Sequence, residues 1–229
     1  MEKNLMDDQN EFFQLLELED RAGCINYALE GLDSKKFNIP ELYENIMGPS
    51  LSQSEVCSLD DDGCIWREHI KTAIIRTVIE CCWTRVDLFS KNTEPLHQSA
   101  LVLCPEKEMH EIGARMAADF FSLVGYKSIF IGANTPREQI KAAVIKEKPA
   151  IVAVSVTDFY HLVEAEKAIH KLKEVLESHH ITGTSIFVGG YAFKDNPDMV
   201  QKIGANGQLQ TFQDIAKLAR DSAIVRSTS

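Results

Sequence analysis

Ala100-Leu101-Val102-Leu103-Cys104-Pro105-Glu106-Lys107-Glu108-Met109-His110-Glu111-Ile112-Gly113 is the stretch that decides the fold. An unbroken apolar run stops at a proline. A polar loop carrying a histidine follows, and an amphipathic pattern then runs from about Glu111 to Leu123. A short apolar run without polar alternation marks a strand buried on both faces, as in a parallel sheet. The same texture recurs downstream. Apolar runs stand at Ser128–Gly132, Ala150–Val156 and Ser185–Val188, separated by helical patterns at Pro136–Lys146 and His161–Ser178. Gly204–Leu209 offers a weaker fifth strand, and Thr211–Ala223 a closing helix.

Strand and helix alternating in this way predict an α/β domain with a parallel sheet and helices on both faces. Five strands of this kind suggest the flavodoxin-like (Rossmann-like) order 2-1-3-4-5. Working back from the first strand, Lys91–Gln98 contains Asn92, Thr93 and Pro95 and reads as a linker. Before it, helical periodicity dominates. Phe12, Phe13, Leu15, Leu16 and Leu18 begin one amphipathic pattern; Cys24, Tyr27, Ala28 and Leu32 begin another. Pro40 suits the first turn of a third helix whose apolar face is Leu42, Ile46 and Met47. Residues 66–88 form the longest candidate, with Trp66, Ile70, Ile74 and Val78 four apart, which reads Trp66 as core. The expected organisation is a helical bundle over residues 1–90 and a flavodoxin-like domain over residues 96–229.

Composition narrows the partners. The net charge is −10, with no dense Lys/Arg block, which argues against direct nucleic-acid binding and leaves a basic protein partner open. No helix-turn-helix segment is recognisable. No apolar run approaches the ~20 residues of a membrane span. Met1–Glu11 is polar and acidic with no signal-peptide pattern, so a cytoplasmic location is expected. The cysteines at 24, 57, 64, 81, 82 and 104 include no Cys-x-x-Cys pair and read as reduced thiols.

In a doubly wound sheet of this order, ligands sit beyond the carboxyl ends of the strands, between the first and third. Three segments converge there. They are the loop Cys104–Gly113, the third-strand end Ser155-Val156-Thr157-Asp158, and the fourth-strand end Val188-Gly189-Gly190-Tyr191. The rim lacks a Gly-x-Gly-x-x-Gly dinucleotide fingerprint and a Gly-Lys-Ser/Thr phosphate loop. The acidic pair and lysine of a receiver domain are missing as well. The pair Gly189-Gly190 removes side chains where a bulky ligand could approach the backbone.

Glu108-x-His110-x-x-Gly113, then Ser155-Val156-Thr157, then Gly189-Gly190, each behind its predicted strand, resembles the signature of the cobalamin-binding domain family. That family includes the B12 domains of methionine synthase, of corrinoid methyltransferase proteins and of B12-dependent light-responsive regulators. The resemblance spans about residues 96–222. It implies that His110 replaces the cofactor's own benzimidazole as lower ligand of cobalt, while Glu108 holds the other ring nitrogen. It also implies that Gly113, Ser155, Thr157, Gly189 and Gly190 line a slot for the displaced base, with Glu111, Ile112 and Tyr191 beside them on the rim.

The helical half extends the resemblance. Trp66-Arg67-Glu68-His69 is similar to the Glu-His helix of the regulators' bundle, which implies that Glu68 and His69 face the upper side of the corrin. The regulators carry a Trp ten positions before that Glu, and often a His after the Trp; Ser58 and Leu59 stand here. In the family's methyl carriers, a helical domain presents cobalt to a separate methyltransferase. Asp62-Gly63 and Met47-Gly48 occur here without the surrounding carrier pattern. The resemblance therefore implies a cobalamin protein holding adenosylcobalamin or methylcobalamin. It would be a sensor or regulator acting through a protein partner and open to homo-oligomerisation. The alternative is a corrinoid subunit that completes no reaction without its methyltransferase. A heme-binding relative is the weaker third reading. Asp60-Asp61-Asp62-Gly63 reads as a solvated turn, His179-His180 as a helix end, and His97, His161 and His170 show no metal-ligand spacing.

Overall fold

A computed structural model describes residues 2–54, 64–194 and 196–227. Ser58, Leu59 and the Asp60–Gly63 turn lie outside the described residues. The chain divides into two compact units, Met1–Leu88 and Phe89–Ser229.

The first unit is helical. Helix α1 (Glu2–Glu17) is followed by α2 (Arg21–Asp33), whose Asp20 cap accepts from Gly23 N at 2.9 Å. The third helix is one rod in three parts: α3 (Ile39–Glu41), a wider π-helical turn over Leu42–Met47, and α4 (Gly48–Ser54). Asn38 and Glu41 close a capping box, and Pro40 sits in the first turn as its fixed φ and missing N–H favour. Pro49 supplies the physical reason for the π segment. It has no N–H for an ordinary helical bond and would collide with the preceding turn, and the helix accommodates it by widening just ahead. Helix α5 (Cys64–Lys91) buries Ile74, Ile75, Val78, Cys82 and Val86; Phe12, Leu16, Cys24, Ala28 and Tyr43 are buried in the same unit. Trp66 departs from the sequence expectation. It is 51% exposed, with the Arg67 guanidinium 5.3 Å from its ring centroid. The buried stripe begins only at Lys71 and Ile74, so an apolar spacing of four carried on one turn beyond the packed face.

The second unit is a five-stranded parallel sheet in the order β2-β1-β3-β4-β5. Its strands are β1 (Ser99–Pro105), β2 (Lys127–Thr135), β3 (Ile151–Ser155), β4 (Ser185–Gly189) and β5 (Gly207–Gln208). The helices between them are α6 (Ile112–Leu123), α7 (Arg137–Glu147), α8 (Leu162–Ser178) and the short α9 (Pro197–Lys202), and α10 (Phe212–Ser227) closes the chain. The continuous apolar run of β1 is explained by burial on both faces. Leu101 and Leu103 join Ile140 and Val144 of α7 and Ile169 and Leu172 of α8 in one core, and the alternate residues Ala100, Val102 and Cys104 are also buried. On α6, Phe120 meets Phe212 of α10 edge-on at 5.4 Å, and Phe121 meets Tyr126 at 5.5 Å. Phe121 is fully buried, so Phe121→Ala should destabilise the chain by about 3–5 kcal/mol. A urea titration measures this directly. At the far end of α8, His179 caps the helix with Nδ1 3.1 Å from Val175 O, as the terminal carbonyls favour.

The order 2-1-3-4-5 puts the reversal between β1 and β3. Above that crevice stand the β1–α6 loop and the ends of β3 and β4. No helix among the described residues is long and apolar enough to cross a membrane.

Candidate functional site

The centre of the rim is a buried carboxylate. Glu108 is fully buried, and each of its oxygens is used. Oε1 accepts from the His110 backbone N–H at 2.9 Å and lies 2.6 Å from His110 Nδ1. Oε2 accepts from the Thr157 and Asp158 N–H groups at 2.9 and 3.0 Å. Glu108 therefore ties the loop after β1 to the loop after β3, across the crevice where the strand order reverses. Burial by itself raises the pKa of this carboxyl. The His110 ring and three backbone N–H donors outweigh burial and hold it at about 2, so the group is a carboxylate at neutral pH. An ionised carboxylate on Nδ1 favours the tautomer with the proton there, and orients the ring. The His110 side chain is half-exposed while its partner is not.

Cys104, the buried thiol at the end of β1, lies 3.6 Å from the His110 carbonyl oxygen and donates to it. Burial, then the Glu108 and Glu111 charges, push its pKa up to about 12, so it is a neutral thiol at pH 7. His161 completes the ring of groups around Glu108. Its Nδ1 is buried without a hydrogen-bond partner and lies 3.4 Å from Glu108 Oε2.

The structure thus gathers Glu108, His110 and Thr157 directly. Ser155 is buried at the end of β3, with its backbone opposite Gly189. Glu111 stands at the N-terminal boundary of α6, with no capping bond from its side chain, and pairs with Arg115 at 3.2 Å; Ile112 is buried at the first turn of that helix. Tyr191 begins a single helical turn after β4 and is largely exposed. Glu68 and His69 belong to the N-terminal unit. Glu68 accepts from Thr72 Oγ1 at 2.9 Å, and the His69 ring is largely exposed 3.6 Å from the Glu68 carboxylate.

The three glycine positions differ in what demands them. At Gly113 an added Cβ would meet no atom within 4 Å. At Gly189 it would lie 2.4 Å from Leu209 O, and at Gly190 2.4 Å from Val156 O with φ at +96°. The Gly189-Gly190 pair is thus required by the close approach of the chain's own backbone, whatever else the space serves. Gly190→Ala should cost about 3 kcal/mol from strain and overlap. Gly113→Ala should leave the fold as stable or raise stability by about 0.5 kcal/mol, since Ala is the better helix former. Thermal melts of the two variants side by side would separate these expectations.

Sequence reasoning missed His161, which shows no metal-ligand spacing and reaches Glu108 only through the fold. It also missed Asn134, whose side chain accepts from Lys107 N at 2.7 Å. No signal in the local pattern points to either.

Fold and rim together define a class: a doubly wound cofactor-binding module whose crevice presents an imidazole oriented by a buried carboxylate. The chain belongs to the B12 binding domain family, whose sequence model matches residues 98–215. It is a cobalamin-binding protein. Among characterised proteins, the HTH-type transcriptional repressor CarA of Myxococcus xanthus is 24% identical over 139 residues, which cover 61% of this chain and 45% of that protein. The chain thus matches less than half the length of this relative. Among solved structures, the monomethylamine corrinoid protein of Methanosarcina barkeri matches with a TM-score of 0.74 at 13% identity. That match covers 94% of this chain and 98% of the other, and the likeness is one of fold.

The residues fit the cofactor in two respects. Imidazole is a suitable donor for a first-row transition metal, and its second nitrogen is already fixed by a carboxylate. The surface beside Gly113 is open where a side chain would otherwise stand.

Proposed function

We propose that this chain is a cobalamin-dependent regulatory protein that holds its corrinoid base-off, with His110 on cobalt through Nε2. The observation that carries the reading is the 2.6 Å contact between Glu108 and His110 Nδ1, which commits that nitrogen to the carboxylate. Ser155, Thr157 and Gly113 would line the slot for the displaced base, beside Gly189, Gly190 and Tyr191. Glu68 and His69 would face the upper side of the corrin. Bound cobalamin supplies the organometallic chemistry, or the ligand-dependent signal, and the protein supplies ligation and access. The regulatory role draws support from the sequence similarity to the CarA repressor. A protein partner or a change of oligomer would carry the signal.

A corrinoid methyl carrier serving a separate methyltransferase is the second reading. It is favoured by a fold shared along nearly the whole chain with the monomethylamine corrinoid protein.

The test mixes purified full-length protein with adenosyl-, methyl- or hydroxocobalamin, or with heme, and follows gel filtration with absorbance spectra. The regulatory reading predicts co-elution of adenosylcobalamin with a base-off, His-on spectrum, and an oligomer that changes with the upper ligand or with light. Preference for methylcobalamin, with methylation of the cobalt(I) form by a separate methyltransferase, would establish the carrier instead. Retention of heme alone would overturn both.

A further inference from the structure

The histidine loop is pinned from its outer side by a strand that is irregular where it does so. In the β1–β2 ladder, Val102 lies opposite Phe130 but Pro105 lies opposite Thr135. Three steps along β1 are thus matched by five along β2, so β2 carries two extra residues before its end. An extra residue bends a strand and re-aims its side chains, a device found beside functional sites. Here the register shifts fall between Phe130 and Gly132 and between Gly132 and Thr135, where Gly132 (φ +124°) and Asn134 (φ +47°) take positive φ and Thr135 Oγ1 donates to Gly132 O at 3.1 Å. The displaced Asn134 reaches the loop twice. Its Oδ1 accepts from Lys107 N at 2.7 Å, and its own N–H donates to Glu108 O at 2.8 Å.

Lys107 is itself left-handed, at φ +72°, a conformation that a non-glycine residue keeps only when its surroundings impose it. Besides Asn134, its ammonium bonds the buried carboxylate of Glu164 on α8 at 2.9 Å, and Lys167 shares that carboxylate at 3.1 Å. The backbone on both sides of the Lys107–Glu108 peptide is therefore fixed before Glu108 meets His110.

We infer that Asn134 is a positioning residue for the cobalt ligand. It acts through the Lys107–Glu108 backbone to hold the Glu108 carboxylate, and through that the His110 ring, in one orientation. This inference rests on the reading of His110 as the ligand, and the test separates the two.

Three variants of the full chain decide it. Asn134→Gly removes the acceptor and relaxes the left-handed strain, Asn134→Asp keeps an acceptor and tolerates the same φ, and His110→Ala reports the absence of the ligand. In the cofactor-free protein, long-range proton–nitrogen NMR correlations of the His110 ring at fixed pH should show one tautomer, protonated at Nδ1. Asn134→Gly should give an averaged pair, and Asn134→Asp the wild-type pattern. With cob(II)alamin bound, electron paramagnetic resonance should show splitting by one axial nitrogen, lost in His110→Ala. Asn134→Gly should reduce the His-on fraction and speed corrinoid release roughly tenfold, the scale for losing an outer partner of a metal-bound histidine. Wild-type tautomer and release rate in Asn134→Gly would overturn the inference. A wild-type resonance identical to that of His110→Ala would overturn the ligand reading alone, and the NMR comparison would still decide the role of Asn134.

Discussion

His110→Ala is expected to leave the chain folded and to weaken its hold on cobalamin by at least 10–100-fold, roughly the range for disturbing even the outer partner of a metal-bound histidine. The two halves of this expectation have separate causes. The ring is half-exposed, and its principal partner, Glu108, keeps three backbone donors when it is removed. The change in stability should therefore be about 1 kcal/mol or less. Binding, by contrast, loses the group that would replace the cofactor's own base on cobalt. Equilibrium dialysis of hydroxocobalamin against both proteins, with circular dichroism as the control for folding, measures both halves. Equal retention by the two would place the ligand elsewhere.

Glu108→Gln should do the reverse and strike the fold as hard as the cofactor. The carboxylate faces donors at both ends and accepts at both. A glutamine can accept at one end only. Its amide N–H₂ must then confront either the His110 pair or the Thr157 and Asp158 pair, and the two N–H groups of that pair lose their acceptor. Each unsatisfied group costs about 1–3 kcal/mol, so a loss of about 2–6 kcal/mol is expected at pH 7.

The pH dependence follows from the same geometry. The carboxyl titrates near 2 in the folded chain against an ordinary 4.5, so its contribution is fully present above about pH 4.5 and is lost as pH falls toward 2. The stability gap between wild type and Glu108→Gln should therefore be widest near neutrality and narrow on acidification below 4.5. Urea midpoints at pH 7 and at pH 3 provide the check. A gap that stays constant would mean that the charge of Glu108 is not what the three backbone donors and the His110 ring stabilise.

Much of this was legible in the sequence, for reasons that can be named. Ala100–Cys104 announces a buried parallel strand because a strand covered on both faces needs no polar alternation. The order of strands then locates the crevice, and the residues at three strand ends supply its chemistry. Other features have no local signature. Trp66 keeps a helical spacing of four after the bundle has stopped burying that face. A lysine at 107 gives no sign of a positive φ, because Asn134 and Glu164 impose it from β2 and α8. His161 approaches Glu108 from beyond the end of β3, and its role depends on contacts far apart in the chain. In sequence the glycine pair 189–190 suggests space for a ligand; its firmest demand is the backbone of Val156 and Leu209. The short helix α9 is too brief to establish a periodicity, and the spacing of Leu42, Ile46 and Met47 announces a helix without showing that it widens ahead of Pro49.

Electron paramagnetic resonance of the full-length protein loaded with cob(II)alamin tests the central claim most directly, recorded once at natural abundance and once with ¹⁵N-labelled histidine. A base-off corrinoid held by His110 predicts one axial nitrogen whose splitting changes from a spin-1 to a spin-½ pattern on labelling, and which disappears in His110→Ala. An axial pattern indifferent to the label would show that the cofactor's own base still occupies cobalt, and would contradict the assignment of His110 as its ligand.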